Sequence, residues 1–255
     1  MIQKPLSRAA FIAGLKKIGT LAYHDKHPFH QLMNAGQLSQ AALRTWVINR
    51  FYYQIKIPIK DAAILSNCPL REVRRIWLHR ITDHDGIRND EGGIGAWLRL
   101  GKACGIDRLL MLSSNQVAPG VRFAVDAYVN FTRTQPWPVA IASSLTELFA
   151  PDLMAQRLKA FEQYYRWIEP RGLEYFRNRL TQARRDSGEA LELTVTYCRT
   201  RELQQAALDA LQFKCDLLWS MLDSIYLATH LDTRSLKSQE PSPRKRNQVV
   251  KRLKR

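Results

Sequence analysis

Apolar residues recur along the chain at the three-to-four-residue spacing of buried helix faces, and no segment sustains the period-two alternation of a strand. Helix-start residues divide the pattern into elements. Ser7 caps a predicted first helix reaching about Tyr23, Pro28 and Gly36 bracket a short segment, and Ser39 caps a helix over about 40–56. Pro58 opens another helix to Ser66, and Pro69 opens one that runs to about His84. A glycine-rich turn follows, from Asp85-Gly86 to Gly92-Gly93. Further helices fit 96–103, 121–134, 139–149 and 151–167, and 172–230 reads as two or three helices, the final one long. The apolar pattern stops there. The expected organisation is one all-α domain over residues 1–232 and a tail, 233–255, rich in Ser, Pro and Gln and predicted to be disordered.

The informative positions are those where a polar residue interrupts an apolar stripe. The face of Leu43, Trp46 and Val47 continues with Arg50 and Gln54, and that of Val73, Ile76 and Trp77 with Arg80 and His84. Val121, Ala124 and Val125 lead to Tyr128, and Ala207, Ala210 and Leu211 lead to Lys214 before Leu218 resumes the stripe. Four helices thus turn a polar or basic residue inward at the same point of the period. A buried cation without an anion is costly, so each needs a partner or a function. Glu147, inside an apolar stretch, is one internal partner. Arg50, Arg80, Arg157, Arg179 and Lys214 nevertheless outnumber the acids expected to face the same core. The missing charge is expected from a ligand bearing several carboxylates or phosphates. No glycine-rich phosphate loop is present, and the guanidinium fork suits carboxylates.

Overall charge changes this picture little. The 255 residues are 45% hydrophobic and 24% charged, which excludes a wholly disordered chain or a short disulfide scaffold. A net charge of +16 invites a nucleic-acid reading, but almost half of the excess lies beyond Ser235, with eight Lys/Arg against one Glu. That tail suits an acidic partner through counterion release; nucleic acid is not the expected ligand of the folded part. No run approaches the 18 uncharged apolar residues of a membrane span, and the greasiest window, 217–231, carries Asp223. With no apolar signal core, a cytoplasmic location is expected. Cys68, Cys104, Cys198 and Cys215 are scattered, with no CxxC pair, and are expected to be reduced and mostly buried.

Two pairs spaced i, i+4 share helix faces: Arg80 with His84, and Tyr175 with Arg179. An imidazole, a phenol and a guanidinium suit proton removal and the stabilisation of an oxyanion or peroxide. His24, His27 and His30 look like a metal cluster, but a continuous helix would spread them over about 120°, and Pro28 interrupts it. No metal site is expected, and His24 is read as a polar histidine at the cavity entrance.

Longer blocks carry a specific resemblance. Arg50-Phe-Tyr-Tyr-Gln54, Lys60-Asp-Ala-Ala, Asp83-His-Asp-Gly86 and the stretch from Gly92 to Gly101 resemble the pyrroloquinoline quinone synthase family, as do Pro119 to Tyr128, Ser143 to Pro151 and Phe213 to Asp223. The match covers about residues 8–230. It implies a haem-oxygenase-like helical bundle of about seven or more helices that binds no haem. It also implies a homodimeric oxidase that closes a ring in a bicyclic, amino-acid-derived quinone precursor and oxidises it with molecular oxygen, releasing peroxide. Such an enzyme uses no metal or organic cofactor; oxygen is a co-substrate and pyrroloquinoline quinone the product. By resemblance, ligand contacts fall on His24, Arg50, Gln54, Lys60, Arg80, Tyr128, Thr146, Arg157 and Lys214, and the oxygen side on His84, Tyr175 and Arg179, with His84 the leading base. Glu147 joins the ligand-binding set. One position departs, because the family usually places a histidine where this chain has Met154. Methionine neither donates a strong hydrogen bond nor moves a proton, which puts the later oxidation steps in doubt and leaves a partial or altered-specificity synthase as an alternative. Two other classes stand beside the oxidase. A thiaminase-like hydrolase on the same bundle would need a cysteine or carboxylate nucleophile in the pocket, and a basic binding protein would depend on its tail.

Overall fold

The computed structural model describes residues 4–230, and over them the chain folds as a stack of α-helices with no strand, only an isolated bridge between Ile87 and Asp90. The tail beyond residue 232 lies outside the described residues. Ser7 begins α1 (Arg8–Ala22), its hydroxyl accepting from the Ala10 amide at 3.2 Å. A 3₁₀ turn, His24–Lys26, leads to α2 (Pro28–Asn34), and Ser39 caps α3 (Gln40–Asn67) through the Ala42 amide.

The break expected at Pro58 does not occur: α3 runs unbroken through it. An internal proline removes one helical hydrogen bond, at roughly 3 kcal/mol. Here Pro58 itself is buried, as are Phe51 and Tyr53 before it and Ala63 and Ile64 after it, and that packing outweighs the loss. The helix expected from Pro69 to His84 is two, α4 (Arg71–Trp77) and α5 (His79–Asp85). They join at Leu78, where the Ile81 amide bonds to the Leu78 carbonyl in 3₁₀ fashion. Ile76 is exposed, against the stripe, while Trp77 and Arg80 are buried.

The glycine-rich turn is a tight one. Gly86 and Gly92 have φ of 85° and 59°, and a Cβ on Gly86 would sit 1.9 Å from the Asp90 carbonyl. It hands over to α6 (Gly92–Ala103). A helix the apolar pattern did not show, α7 (Arg108–Ser113), is capped by Asp107. Then come α8 (Pro119–Thr134) and α9 (Trp137–Ala142). The expected continuation of α9 to Phe149 is instead 3₁₀, Ser143–Phe149, where the Ser143 hydroxyl bonds back to the Ala140 carbonyl. α10 (Ala150–Tyr164), α11 (Glu174–Tyr197) and the long α12 (Arg201–His230) complete the stack.

α3 packs against α5, α6, α8 and α12; α10 lies along α11; and α12 also lies along α1, α8 and α9. An aromatic core forms where Trp46, Trp97, Phe161 and Phe176 meet, mostly edge-to-face or tilted, with Trp46 and Phe176 stacked. A second cluster joins Phe11, Leu15, Trp77, Ile141 and Leu211. Among the described residues no helix is long and apolar enough to cross a membrane.

Candidate active site

Because α3 is unbroken, one of its faces carries Arg50, Tyr53, Ile57 and Lys60 into a single cavity. The 3₁₀ segment adds Ser144, Thr146 and Glu147; α5 adds His84, α8 Tyr128, α10 Met154, α11 Tyr175 and Arg179, and α12 Leu218. Tyr23 and His24 close one side. Ten of the fourteen residues singled out from sequence therefore line one space. His24, expected at its entrance, is a buried part of its wall.

The other four, Gln54, Arg80, Arg157 and Lys214, are buried directly behind it. Gln54 Oε1 accepts from the Tyr175 hydroxyl at 3.1 Å. Lys214 Nζ donates to the Tyr53 hydroxyl at 2.8 Å and lies 3.4 Å from the centre of the Tyr128 ring. Arg157 donates to His30 Nε2 at 3.0 Å and covers the Trp46 ring.

The cations fall into two groups, which corrects the expected shortage of acids. Arg80 pairs with Glu147 at 2.6 Å, donates to the Asp186 carbonyl and stacks on Trp77. Arg179 pairs with Asp186 at 3.1 Å and lies 3.7 Å from Glu147, and Lys60 pairs with Asp61 at 2.6 Å. Asp61 and Asp186, both about 98–99% buried, supply negative charge that the stripe pattern did not count. Arg50, Arg157 and Lys214 enter no ion pair among the described residues. Their positions hold them against rings instead, Arg50 lying 3.9 Å from the Tyr53 centroid.

This division shows in the titration. Burial opposes the charge on Arg80 and Arg179, but Glu147 and Asp186, joined at Arg179 by Tyr175, hold both guanidiniums firmly protonated. Arg157 is pushed down to about 9 by burial and then by Arg50. Lys214 is driven well below the usual lysine range by burial, Lys60 and Arg50. His84 is lowered to about 4, by burial and then by Arg179, so its ring is neutral near pH 7. Its Nδ1 lies 3.0 Å from the Arg80 carbonyl, which can only accept, so the proton is on Nδ1. The remaining lone pair, on Nε2, is buried and has no protein partner among the described residues.

The three clustered histidines do not form a metal site. His27 caps α2, its Nδ1 accepting from the Phe29 amide while Nε2 donates to Asp223. His30 donates to the His24 carbonyl and accepts from Arg157. The three metal-type donors that do meet among the described residues are His79, Asp186 and Glu189, and Asp186 is already held by Arg179 and Arg185.

Several functional neighbours escaped the sequence reading. Tyr23, Tyr53, Ile57, Ser144 and Leu218 line the cavity, and Asp61, Asp186 and His30 orient its cations. Asp186 stands seven residues after Arg179, two turns along the same face of α11, a spacing that would have found it.

The sequence pattern described as TENA/THI-4/PQQC matches residues 12–224. The pyrroloquinoline-quinone synthase of Ectopseudomonas mendocina is 53% identical over 232 residues, 91% of this chain and 92% of that protein. The enzyme of the same name from Pseudomonas aeruginosa PAO1 is 54% identical over 232 residues, with the same shares covered. That of Cronobacter sakazakii is 54% identical over 230 residues, 90% of this chain and 91% of its own length. Among solved structures, a TenA homologue from Pseudomonas syringae superposes with a TM-score of 0.72 at 15% identity, covering 89% of this chain and 98% of that one. A domain with a haem-oxygenase-like fold from Shewanella denitrificans gives 0.73 at 14% identity, covering 93% and 97%. These last two establish the haem-oxygenase-like fold.

Proposed function

The chain belongs to the TENA/THI-4/PQQC family, and within it we propose that it is a pyrroloquinoline-quinone synthase: it binds a bicyclic polycarboxylate precursor, closes its second ring and oxidises it with molecular oxygen. The observation that carries this reading is His84 Nε2, without a protein partner among the described residues, in a cavity whose Arg50 enters no ion pair among them. Arg50, from the wall, and Lys214 and Arg157, from behind it, supply positive charge that the substrate's carboxylates neutralise. Fixing those carboxylates brings the substrate amine to its carbonyl for ring closure. His84 Nε2 then accepts a carbon-bound proton, its Nδ1–H anchored on Arg80.

Removal of that proton leaves an electron-rich anion, which is the electron donor; each two-electron step passes two electrons and two protons to oxygen and yields hydrogen peroxide. Arg179, kept charged by its carboxylates, stabilises the reduced oxygen species, with Tyr175 as proton donor beside it. Because the substrate itself is the reductant, the proposal needs no metal or organic cofactor. It extends to a homodimer in the cytoplasm, where the four buried free thiols suit a reducing compartment, and to a tail that contacts an acidic partner. A thiaminase-like hydrolysis is less favoured by the geometry: none of the four cysteines lines the cavity, and the carboxylate that does, Glu147, is held by Arg80 at 2.6 Å with Arg179 3.7 Å away.

The test mixes protein and precursor with and without oxygen while following quinone absorbance and peroxide. Quinone and peroxide formed together, and only with oxygen, are expected; precursor left unchanged in air would overturn the assignment.

A further inference from the structure

Tyr175 lines a second cavity as well, and is the one residue that the two cavities share. The wall between this second space and His84 is thin. A Cβ on Gly93 would lie 3.5 Å from the Tyr175 ring and 3.6 Å from the His84 ring, so glycine there brings the second cavity within one side-chain thickness of both. The Tyr175 ring is held in place as the partition by its hydrogen bond to Gln54 and by Trp97, whose ring meets it edge-on at 4.9 Å.

We propose that this second cavity is the passage by which oxygen reaches the reacting face of the bound organic ligand and hydrogen peroxide leaves it. The proposal rests on the oxidase reading above and deepens it. Successive oxidations of one bound molecule each consume an O2 and release an H2O2, while the bicyclic ligand stays in the first cavity and fills it. Small solutes therefore need a way in and out that the ligand does not block. The second cavity opens beside Tyr175 and His84, the side on which oxygen is reduced.

Its chemistry suits that traffic and excludes the substrate. Asp83, Asp90, Glu174, Asn178 and Gln182 make a polar lining, favourable to peroxide and water. It offers a polycarboxylate no free cation, since its arginine, Arg99, is engaged by Glu174 and Glu91 at 2.9 and 2.8 Å, and Asp90, in no ion pair among the described residues, adds negative charge. The organic ligand is thus directed to the cationic cavity and kept from this one.

Asn178 is exposed on the rim, and all four native cysteines are buried. Asn178→Cys, labelled in the folded protein with a bulky maleimide, places a plug over the passage after folding is complete; Gln182→Cys gives a second attachment point. Two quantities are measured before and after labelling: the second-order rate constant for reaction of the preformed anaerobic complex with oxygen, and the anaerobic affinity for the product quinone. Labelling is expected to lower the oxygen rate constant by about tenfold or more with affinity unchanged, since access rather than binding is obstructed, and a methyl-sized thiol label is expected to leave both unchanged. Bulky labels at both positions that leave the oxygen rate constant at its unlabelled value would overturn the passage. So would labels that lower product affinity as strongly as the oxygen rate. An unlabelled protein that never consumes oxygen with the precursor would remove the oxidase reading itself, an outcome visible before any label is attached.

Discussion

Arg157 gives the sharpest test of the idea that the site holds charge in reserve for a ligand. Its guanidinium is 2% exposed, forms no ion pair among the described residues and has its Nε unsatisfied. Lowering from 12.5 to about 9 corresponds to about 5 kcal/mol of strain on the charged form, an upper bound. The sign follows from linkage. The folded-state value lies below the unfolded one, so the penalty is complete below pH 9 and fades only as pH rises from about 9 to 12.5. At neutral pH it is fully present. Arg157→Met removes the charge and keeps much of the volume against Trp46 and Phe176. It also strands His30 Nε2, which loses its donor at a cost of about 1–3 kcal/mol.

The balance is a ligand-free protein more stable by roughly 2 kcal/mol, or about 4–8 °C in thermal midpoint for a domain of this size. The same change should weaken product binding by about 2–5 kcal/mol, because one of the three buried charges that offset the ligand's carboxylates is lost. Thermal unfolding with and without product quinone, together with titration calorimetry, reads both quantities. A variant whose ligand-free midpoint falls below the parent's, or which binds product as tightly as the parent, would refute the reserve-charge argument.

Three further perturbations bear on separate parts of the site. Asp186→Asn keeps an acceptor for Arg179 but removes the charge it shares with Arg185, so unfolding by denaturant should show a loss of about 3–5 kcal/mol; a loss under 1 kcal/mol would contradict its assigned part. His24, His30 and His84 all have folded-state values depressed chiefly by burial, so stability is full above about pH 6.5 and should fall as pH drops toward 4. His84→Gln should remove about 3 kcal/mol of that acid-side loss in melts followed from pH 7 to 4.5, and an unchanged pH slope would rule out a depressed His84. Met154→His places at a wall position 7% exposed the histidine that the resemblance leads one to expect there; single-turnover spectra should show the parent reaching the quinone at a comparable rate, with product held about 1–3 kcal/mol less tightly than in the variant. A parent that halts at a reduced intermediate, rescued by the histidine, would instead make this chain a partial synthase.

Much of this site was legible because helical periodicity is a statement about faces. Once Leu43, Trp46 and Val47 fix the buried side of α3, Arg50 and Gln54 have nowhere else to point, and the same logic places Tyr128 and Lys214. Periodicity failed where backbone bonding changes its pitch. The 3₁₀ step at Leu78 divided the expected helix into α4 and α5, and the Ser143 hydroxyl shifted 143–149 out of α-helical register. It failed again at Pro58, where local chemistry argues for a break and tertiary packing decides otherwise. Tyr53 and Asp61 stayed hidden for a different reason. Each follows a residue already assigned inward or stands next to one, and the wide buried face of a central helix takes in adjacent positions that a narrow stripe excludes.

The counting of charges failed in an instructive direction. Read from the stripes, five cations appeared to want a ligand; in the fold, Glu147 and Asp186 claim Arg80 and Arg179, leaving Arg50, Arg157 and Lys214. The two groups suit different tasks. A guanidinium fixed by carboxylates stays charged whether or not the site is occupied, which a residue facing reduced oxygen requires at every step. A cation without a carboxylate is destabilised until a ligand arrives, so its relief adds to binding and makes affinity depend on the substrate's own charge. His84 sits between them, its value lowered by Arg179, which keeps its lone pair free at neutral pH. A carboxylate paired directly with that imidazole would raise its affinity for protons and, near neutrality, leave it already protonated when the substrate binds. The arrangement of Glu147 and Asp186, bound to arginines and not to His84, is therefore what allows one buried cavity to be strongly cationic and still contain a base.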